Sequence, residues 1–424
     1  MSAQPPGSKR PAKIRIRHPE TSAIGEGYDP ALSVMAVRPP IYPVSTYCFR
    51  TAAEAAHFFD VALGRAERAE GSNELIYARL NNPNAEMFED GLVALERGAG
   101  ACASFASGMA AITTAFLAFL RPGDVVLHTV PLYGGTAHVL HEMLAPFGIS
   151  ARGVDAGSTE ALAREAASLG DRLAMIYVET PGNPTLRMTD IAVAAEVARA
   201  SATRTHRRVL LAVDNTFLGP IFQSPLEHGA DLVLYSATKY LGGHSDVVAG
   251  AALARDEELV VAMKKVRSFF GTICEPFTAW LLQRSLATIY TRMVKQSKNA
   301  ARIVERVKEH PKLACVHYPT LFEGGQRRIF EAQCRAPGGM IAFELQGGQE
   351  AAFRFLDGLR IARIAVSLGG VETLATHPRT TVSSEMPPHE MDRAGIGPGL
   401  VRYSTGVEYW RDLADDVEQA LALA

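Results

Sequence analysis

Residues 231–246 read DLVLYSATKYLGGHSD, and the rest of the chain is organised around them. The run Leu232 to Leu234 has the apolar character of a short buried strand. It breaks into the hydroxyl-bearing Ser236 and Thr238, places Lys239 directly after them, and ends in Gly242 and Gly243. A lysine immediately after a buried strand is out of place if its task is solubility. Partial desolvation makes such an amine lose its proton more easily, which suits it to nucleophilic work. The flanking hydroxyls suit a phosphate. Together they point to a lysine that holds an aldehyde cofactor as a Schiff base, with the cofactor's phosphate beside it.

Upstream, the same pattern recurs. ACASFASG, DVVLHTV, ISARGVD, RLAMIYVETPGNP and VLLAVDNT read as strands, with helices such as Met109 to Leu120 between most of them. Alternation of this kind predicts a parallel sheet covered on both faces, with ligands bound beyond the carboxyl ends of the strands. Most of these strands lead into a candidate polar group: Ser107, Tyr133, Asn183, Asp214, then Ser236, Thr238 and Lys239. The segment from Tyr28 to about Tyr77 reads as an arm, with a helix near Ala52 to Leu63, and a helix over Ala85 to Glu96 follows. After Leu253 long helices dominate. Then come short strands in MIAFELQ, IARIAVSLGG and LVRYSTG and a closing helix after Asp412, which predicts a second, α+β domain. The boundaries drawn are 1–76 for tail and arm, 77–276 for the cofactor-binding domain and 277–424 for the C-terminal domain.

Composition narrows the function classes. The net charge of -2 gives no footing for nucleic acid or an anionic membrane. No apolar run reaches membrane-spanning length. Residues 1–20 are basic without an apolar core, so they read as a disordered tail and not as a signal peptide. The five cysteines are scattered and form no CxxC pair, which favours a reducing, cytoplasmic setting over a disulfide framework or a zinc site. His244 and His377 lack a second ligand at zinc-like spacing, so no metal is assigned.

Each candidate residue also has an ordinary reading. Ser107-Gly108-Met109 is an anion site at a helix start or a simple N-cap. Asp214 is a partner for a protonated pyridine nitrogen or a cap or structural ion pair. Tyr133 stacks on a flat ring or is a half-buried turn residue. Asn183 sits in a turn where asparagine is common. Arg402, inside the apolar LVRYS, meets a substrate carboxylate or an internal one. Neither G-x-G-x-x-G nor G-x-x-x-x-G-K-[ST] is present.

The ordered series YARLNNP, ASGMAAI, LYGGT, ETPGNP, VDNT, SATKYLGGH, VSLGGVETLATHP and LVRYSTG resembles the Cys/Met-metabolism family of pyridoxal-phosphate enzymes. The resemblance runs from about Tyr42 to Leu421. It implies a fold of the aminotransferase-like type I, with a mostly parallel seven-stranded sheet and a smaller α+β C-terminal domain. It implies pyridoxal 5'-phosphate as cofactor, an amino-acid substrate, and a homotetramer built as a dimer of dimers. By the same resemblance Lys239 binds the cofactor covalently and shuttles protons, Asp214 meets the ring nitrogen, and Tyr133 stacks on the ring. Gly108, Met109, Ser236 and Thr238 cradle the phosphate beside Ser107, which the helix-start reading already placed there, Tyr77 and Arg79 reach the neighbouring subunit's phosphate, and Asn183, Ser367 and Arg402 hold the substrate carboxylate and the cofactor oxygen. The family divides by reaction. The expectation is a carbon–sulfur lyase acting by γ-elimination, like methionine gamma-lyase; the alternative is γ-replacement, as in cystathionine gamma-synthase or O-acylhomoserine sulfhydrylase. Departures bear on that choice. Gly135 stands where methionine gamma-lyases typically carry cysteine, and Val366 where cystathionine-handling members often carry glutamate. Glu385 lies in an altered SSEM run, Asn84 replaces a threonine, and an insertion near Gly64 to Glu74 extends the loop before Tyr77.

Overall fold

The computed structural model describes residues 18–67 and 74–424; the predicted disordered tail and the centre of the loop insertion lie outside them, apart from a short helix that starts at Pro19. Seven strands form the main sheet: β1 (Ala101–Phe105), β2 (Val125–Val130), β3 (Ser150–Asp155), β4 (Leu173–Glu179), β5 (Leu210–Asp214), β6 (Leu232–Ser236) and β7 (Gly250–Ala254). Their order is β1-β7-β6-β5-β4-β2-β3. β7 pairs antiparallel with β1 and β6, so the other six strands share one direction and one carboxyl edge.

The sheet is buried on both faces because its strands alternate between two apolar cores. Ile176 and Val178 of β4 pack with Phe88, Leu92 and Ala194 on one side. Met175 and Tyr177 pack with Ala111, Phe116 and Met263 on the other. The helices that supply these residues are Pro83–Leu95, Gly108–Phe119, Ile191–Thr205 and Glu257–Phe270. The first three begin at side-chain caps from Asn82, Ser107 and Asp190.

One strand was not predicted, and two predicted elements come out differently. β7, GAALA, has no β-branched or aromatic residue and so carries no strand signal of its own. Its small side chains fit between the edge strand β1 and β6. The helix expected after LYGGT breaks into Gly134–His138, a wider turn at Val139–Met143 and a tight turn at Ala145–Phe147, where Pro146 removes a donor. Within IARIAVSLGG only Arg363–Ile364 is paired as strand, and the stretch from Val366 onward becomes a loop against Lys239. The arm helix Ala52–Ala62 buries none of its residues, as expected of a segment without its own core.

A second sheet has the order β10-β11-β12-β9-β8, with β8 (Leu313–His317), β9 (Met340–Leu345), β10 (Arg363–Ile364), β11 (Leu374–Thr376) and β12 (Leu400–Ser404). Helices Ile289–Val307, Gly348–Gly358 and Trp410–Leu423 cover one face. Val401 and Tyr403 point into that core, so Arg402 between them faces the other way, toward the main sheet. All five cysteines are free thiols. Among the described residues no helix is long and apolar enough to cross a membrane.

Candidate active site

Beyond the carboxyl edge of the main sheet lies a cavity of about 360 Å³. Its walls include Ser107, Gly108, Met109, Tyr133, Asn183, Asp214, Ser236, Thr238, Lys239, Ser367 and Arg402, the residues singled out from sequence except Tyr77 and Arg79. Within the chain Arg79 instead donates to the Ser268 carbonyl at 2.6 Å and lies over the Tyr77 ring.

The loop after β6 is held on three sides. Thr238 exchanges hydrogen bonds with Ala249, its hydroxyl donating at 3.2 Å and accepting from the Ala249 N–H at 3.0 Å. The buried Arg292 donates to the carbonyls of Tyr240 and Leu241. Gly243 has φ +70, and a Cβ there would overlap the Arg292 guanidinium, so the second glycine of the motif is needed for this contact. Lys239 Nζ donates to Ser367 Oγ at 3.1 Å. Burial, and then the positive charge of Arg402, lower the Lys239 pKa to about 8.

The helix Gly108–Phe119 aims its N-terminus at the same space. Ser107 Oγ accepts from Ala110 N at 3.0 Å, which leaves the N–H groups of the first helical residues for an anion. The approach is close enough to require two glycines. A Cβ on Gly108 would lie 2.8 Å from Ser236 Cβ, and one on Gly250 would lie 2.1 Å from the Ser107 carbonyl oxygen.

Asp214 closes β5. Its carboxylate accepts from Thr216 N at 3.0 Å and from the Tyr177 hydroxyl at 3.3 Å. Burial raises its pKa against these hydrogen bonds. Arg402 is buried, and its donors go to Asn183 Oδ1 at 3.1 Å and the carbonyls of Val366 and Ser367 at 2.7 and 3.1 Å. These acceptors are neutral, so the internal salt bridge allowed by the sequence is not formed among the described residues. Among the described residues three hydrogen bonds engage the guanidinium, none of them to a carboxylate, so its charge is without a carboxylate partner there. Desolvation lowers the Arg402 pKa to about 10.

Three lining or adjacent residues were not picked out from sequence. Thr216 accepts from Ser236 N at 2.9 Å and so ties β5 to β6, and Tyr177 supports Asp214. Glu179 ends the apolar run RLAMIYV as Asp214 ends VLLAV, so the same criterion, a carboxylate closing a buried strand, would have found it.

A model of the Cys/Met metabolism PLP-dependent enzyme family matches residues 20–422. The chain belongs to this family. It is 38% identical over 402 residues to the L-methionine gamma-lyase of Pseudomonas deceptionensis, covering 95% of this chain and 96% of the relative. It is 40% identical over 345 residues to the cystathionine beta-lyase MetC of Bacillus subtilis (strain 168), covering 81% and 85%. The crystal structure of cystathionine gamma synthase from Xanthomonas oryzae pv. oryzae, in complex with aminoacrylate and cysteine, superimposes with TM-score 0.87 at 33% identity, covering 96% and 98%. The protein is therefore a pyridoxal-phosphate-dependent enzyme of sulfur amino-acid metabolism. The donor set fits that cofactor. Among the described residues Asp214 has only neutral hydrogen-bond partners, and a buried carboxylate of that kind is costly until a cation such as a protonated ring nitrogen pairs with it. The helix N-terminus with Ser236 and Thr238 matches a phosphate. Lys239, partly neutral near pH 7, matches an aldehyde.

Proposed function

We propose that the enzyme cleaves the γ-carbon–sulfur bond of an amino acid with an apolar thioether side chain. With methionine and water the products are methanethiol, 2-oxobutanoate and ammonia. The observation that carries this reading is the charge distribution of the cavity. Its four charged lining residues, Glu179, Asp214, Lys239 and Arg402, all belong to the sheet edge and its cover. Its apolar lining includes Ile112, Phe217, Val248, Val366, Leu368 and Val382. A methyl thioether suits such a lining, whereas the distal ammonium and carboxylate of a cystathionine would be desolvated against these apolar residues.

Asp214 would face the cofactor ring nitrogen, and Gly108, Met109, Ser236 and Thr238 would take its phosphate. Pyridoxal phosphate, when bound, supplies an electron sink that acidifies the neighbouring C–H bonds. Arg402 and Asn183 orient the substrate carboxylate with a charge-assisted pair. Lys239 Nζ, beside Ser367, takes the α proton and returns it. The Tyr133 hydroxyl, on the exposed ring before Gly134, gives a proton to the departing sulfur. Tyr77 and Arg79 would complete the phosphate site of a second copy, which makes a dimer the active unit; a homotetramer in the cytoplasm follows the family pattern.

The second reading is γ-replacement, favoured by Gly135 in place of the cysteine expected of methionine gamma-lyases. Incubating the purified enzyme with methionine, and separately with O-acylhomoserine plus cysteine, decides between them. Methanethiol and 2-oxobutanoate from methionine support the lyase. A thioether from the second mixture with no turnover of methionine overturns it.

A further inference from the structure

β4 ends in Glu179, a buried carboxylate to which the proposed chemistry gives no task. Its two oxygens are used separately. Oε2 accepts the backbone N–H of Tyr133 at 2.8 Å, and Oε1 accepts that of Asn183 at 2.7 Å. Its own N–H donates to Thr129 Oγ1 at 3.1 Å, which fixes the end of β4 to the end of β2. Tyr133 and Asn183 lie on turns that follow different strands and share little else. Tyr133 leads the short helix Gly134–His138, and Asn183 meets Arg402.

A neutral residue cannot do the same. Glutamine has the right length but one carbonyl oxygen; its amide nitrogen would turn a donor toward the second N–H. A carboxylate serves both, at the cost of a buried negative charge near another. Burial and the Asp214 charge push the Glu179 pKa upward, while the two backbone N–H groups and Arg402 oppose them. A buried carboxyl group that receives the backbone N–H groups of two separate turns on its two oxygens marks a geometric task.

We propose that Glu179 is a positioning residue that ties the Tyr133 turn to the Asn183 turn, holding the proton donor and the substrate-carboxylate anchor at a fixed separation across the cavity. This rests on the roles given to Tyr133 and Asn183 above.

The test compares E179D, which keeps two acceptors on a shorter stem, with E179Q, which keeps the volume and loses an acceptor. Both are made in the holoenzyme, alone and with Y133F or N183A. A volume-filling role ranks glutamine above aspartate; the tie ranks aspartate above glutamine. Losing one hydrogen bond to a charged acceptor predicts a fall of about 10- to 100-fold in kcat/KM for E179Q, split between lower kcat and higher KM. The loss in kcat shrinks in the Y133F background, and the rise in KM shrinks in the N183A background. Visible circular dichroism of the bound cofactor changes in E179Q, because the Tyr133 ring moves. E179Q with wild-type kcat, KM and dichroism, beside impaired Y133F and N183A, overturns the tie alone. Y133F and N183A without effect overturn the role assignments beneath it. If E179Q does not fold, amide hydrogen exchange in the wild-type holoenzyme decides: the Tyr133 and Asn183 amides are both protected if the tie exists, and rapid exchange at either refutes it.

Discussion

The depressed pKa of Lys239 makes a quantitative prediction about how the cofactor-free enzyme captures pyridoxal phosphate. An ordinary lysine titrates near 10.5, and Lys239 near 8. At pH 7 about one tenth of Lys239 is then neutral, against about one part in three thousand of an exposed lysine, an advantage of ~300-fold in reactive amine. The direction follows from the causes. Burial disfavours the ammonium form, and Arg402 adds like-charge repulsion, so both move the proton off at lower pH. The capture rate should rise with pH and level off a little above 8, instead of climbing toward 10. Stopped-flow absorbance of cofactor-free enzyme mixed with pyridoxal phosphate, from pH 7 to 10, measures this, since the cofactor's phosphate is already fully charged there. Replacing Arg402 by glutamine removes the second cause and should shift the midpoint upward. A rate still increasing at pH 10 in the wild type would refute the argument that burial activates this lysine.

Further outcomes follow from single contacts. Gly108→Ala forces a methyl into Ser236, costs about 1–3 kcal/mol in packing and should weaken cofactor retention on dialysis; unchanged retention counts against the phosphate cradle. Gly135→Ala puts a Cβ 2.7 Å from Tyr133 Cε1 and should lower kcat more than it raises KM, as steady-state kinetics would show. Arg402→Ala should raise KM by an amount equivalent to roughly 2–5 kcal/mol, because a desolvated charge pair with the substrate is lost. Glu89 lies between Lys264 at 2.6 Å and Arg267 at 2.8 Å, and although burial pushes its pKa up, these two cations bring it down to about 2. The resulting stability, about 3 kcal/mol, is complete above pH 4.5 and is lost as pH falls toward 2; denaturant unfolding of wild type and Glu89→Gln at pH 7 and pH 3 should show the difference between them shrink in acid.

Strand-end polar residues were legible because the chain writes them in order. Each apolar run that must be buried is followed by a polar residue that is costly to bury without a partner, and Ser107, Asn183, Asp214 and Lys239 stand out against their own strands. Glu179 carries the same signal. Thr216 and Tyr177 do not, because a threonine or tyrosine beside a strand is unremarkable until the chain across the sheet is known. β7 was silent for a related reason: a strand made mostly of glycine and alanine is selected by the width of its slot between β1 and β6, and the slot exists only after folding.

By itself, the sequence determined the alternating architecture, the family and the chemical types at the sheet edge, since periodicity and local composition are properties of contiguous residues. What only the tertiary structure decided is how those types meet. Arg402, 219 residues from Asn183, finds neutral acceptors among the described residues. Lys239 sits against Ser367, near Arg402, and loses its proton more readily. Gly108 and Gly250 let a helix end approach a strand end without collision. Burial, field and clearance are sums over residues distant in the chain, so no local stretch, including DLVLYSATKYLGGHSD, contains them.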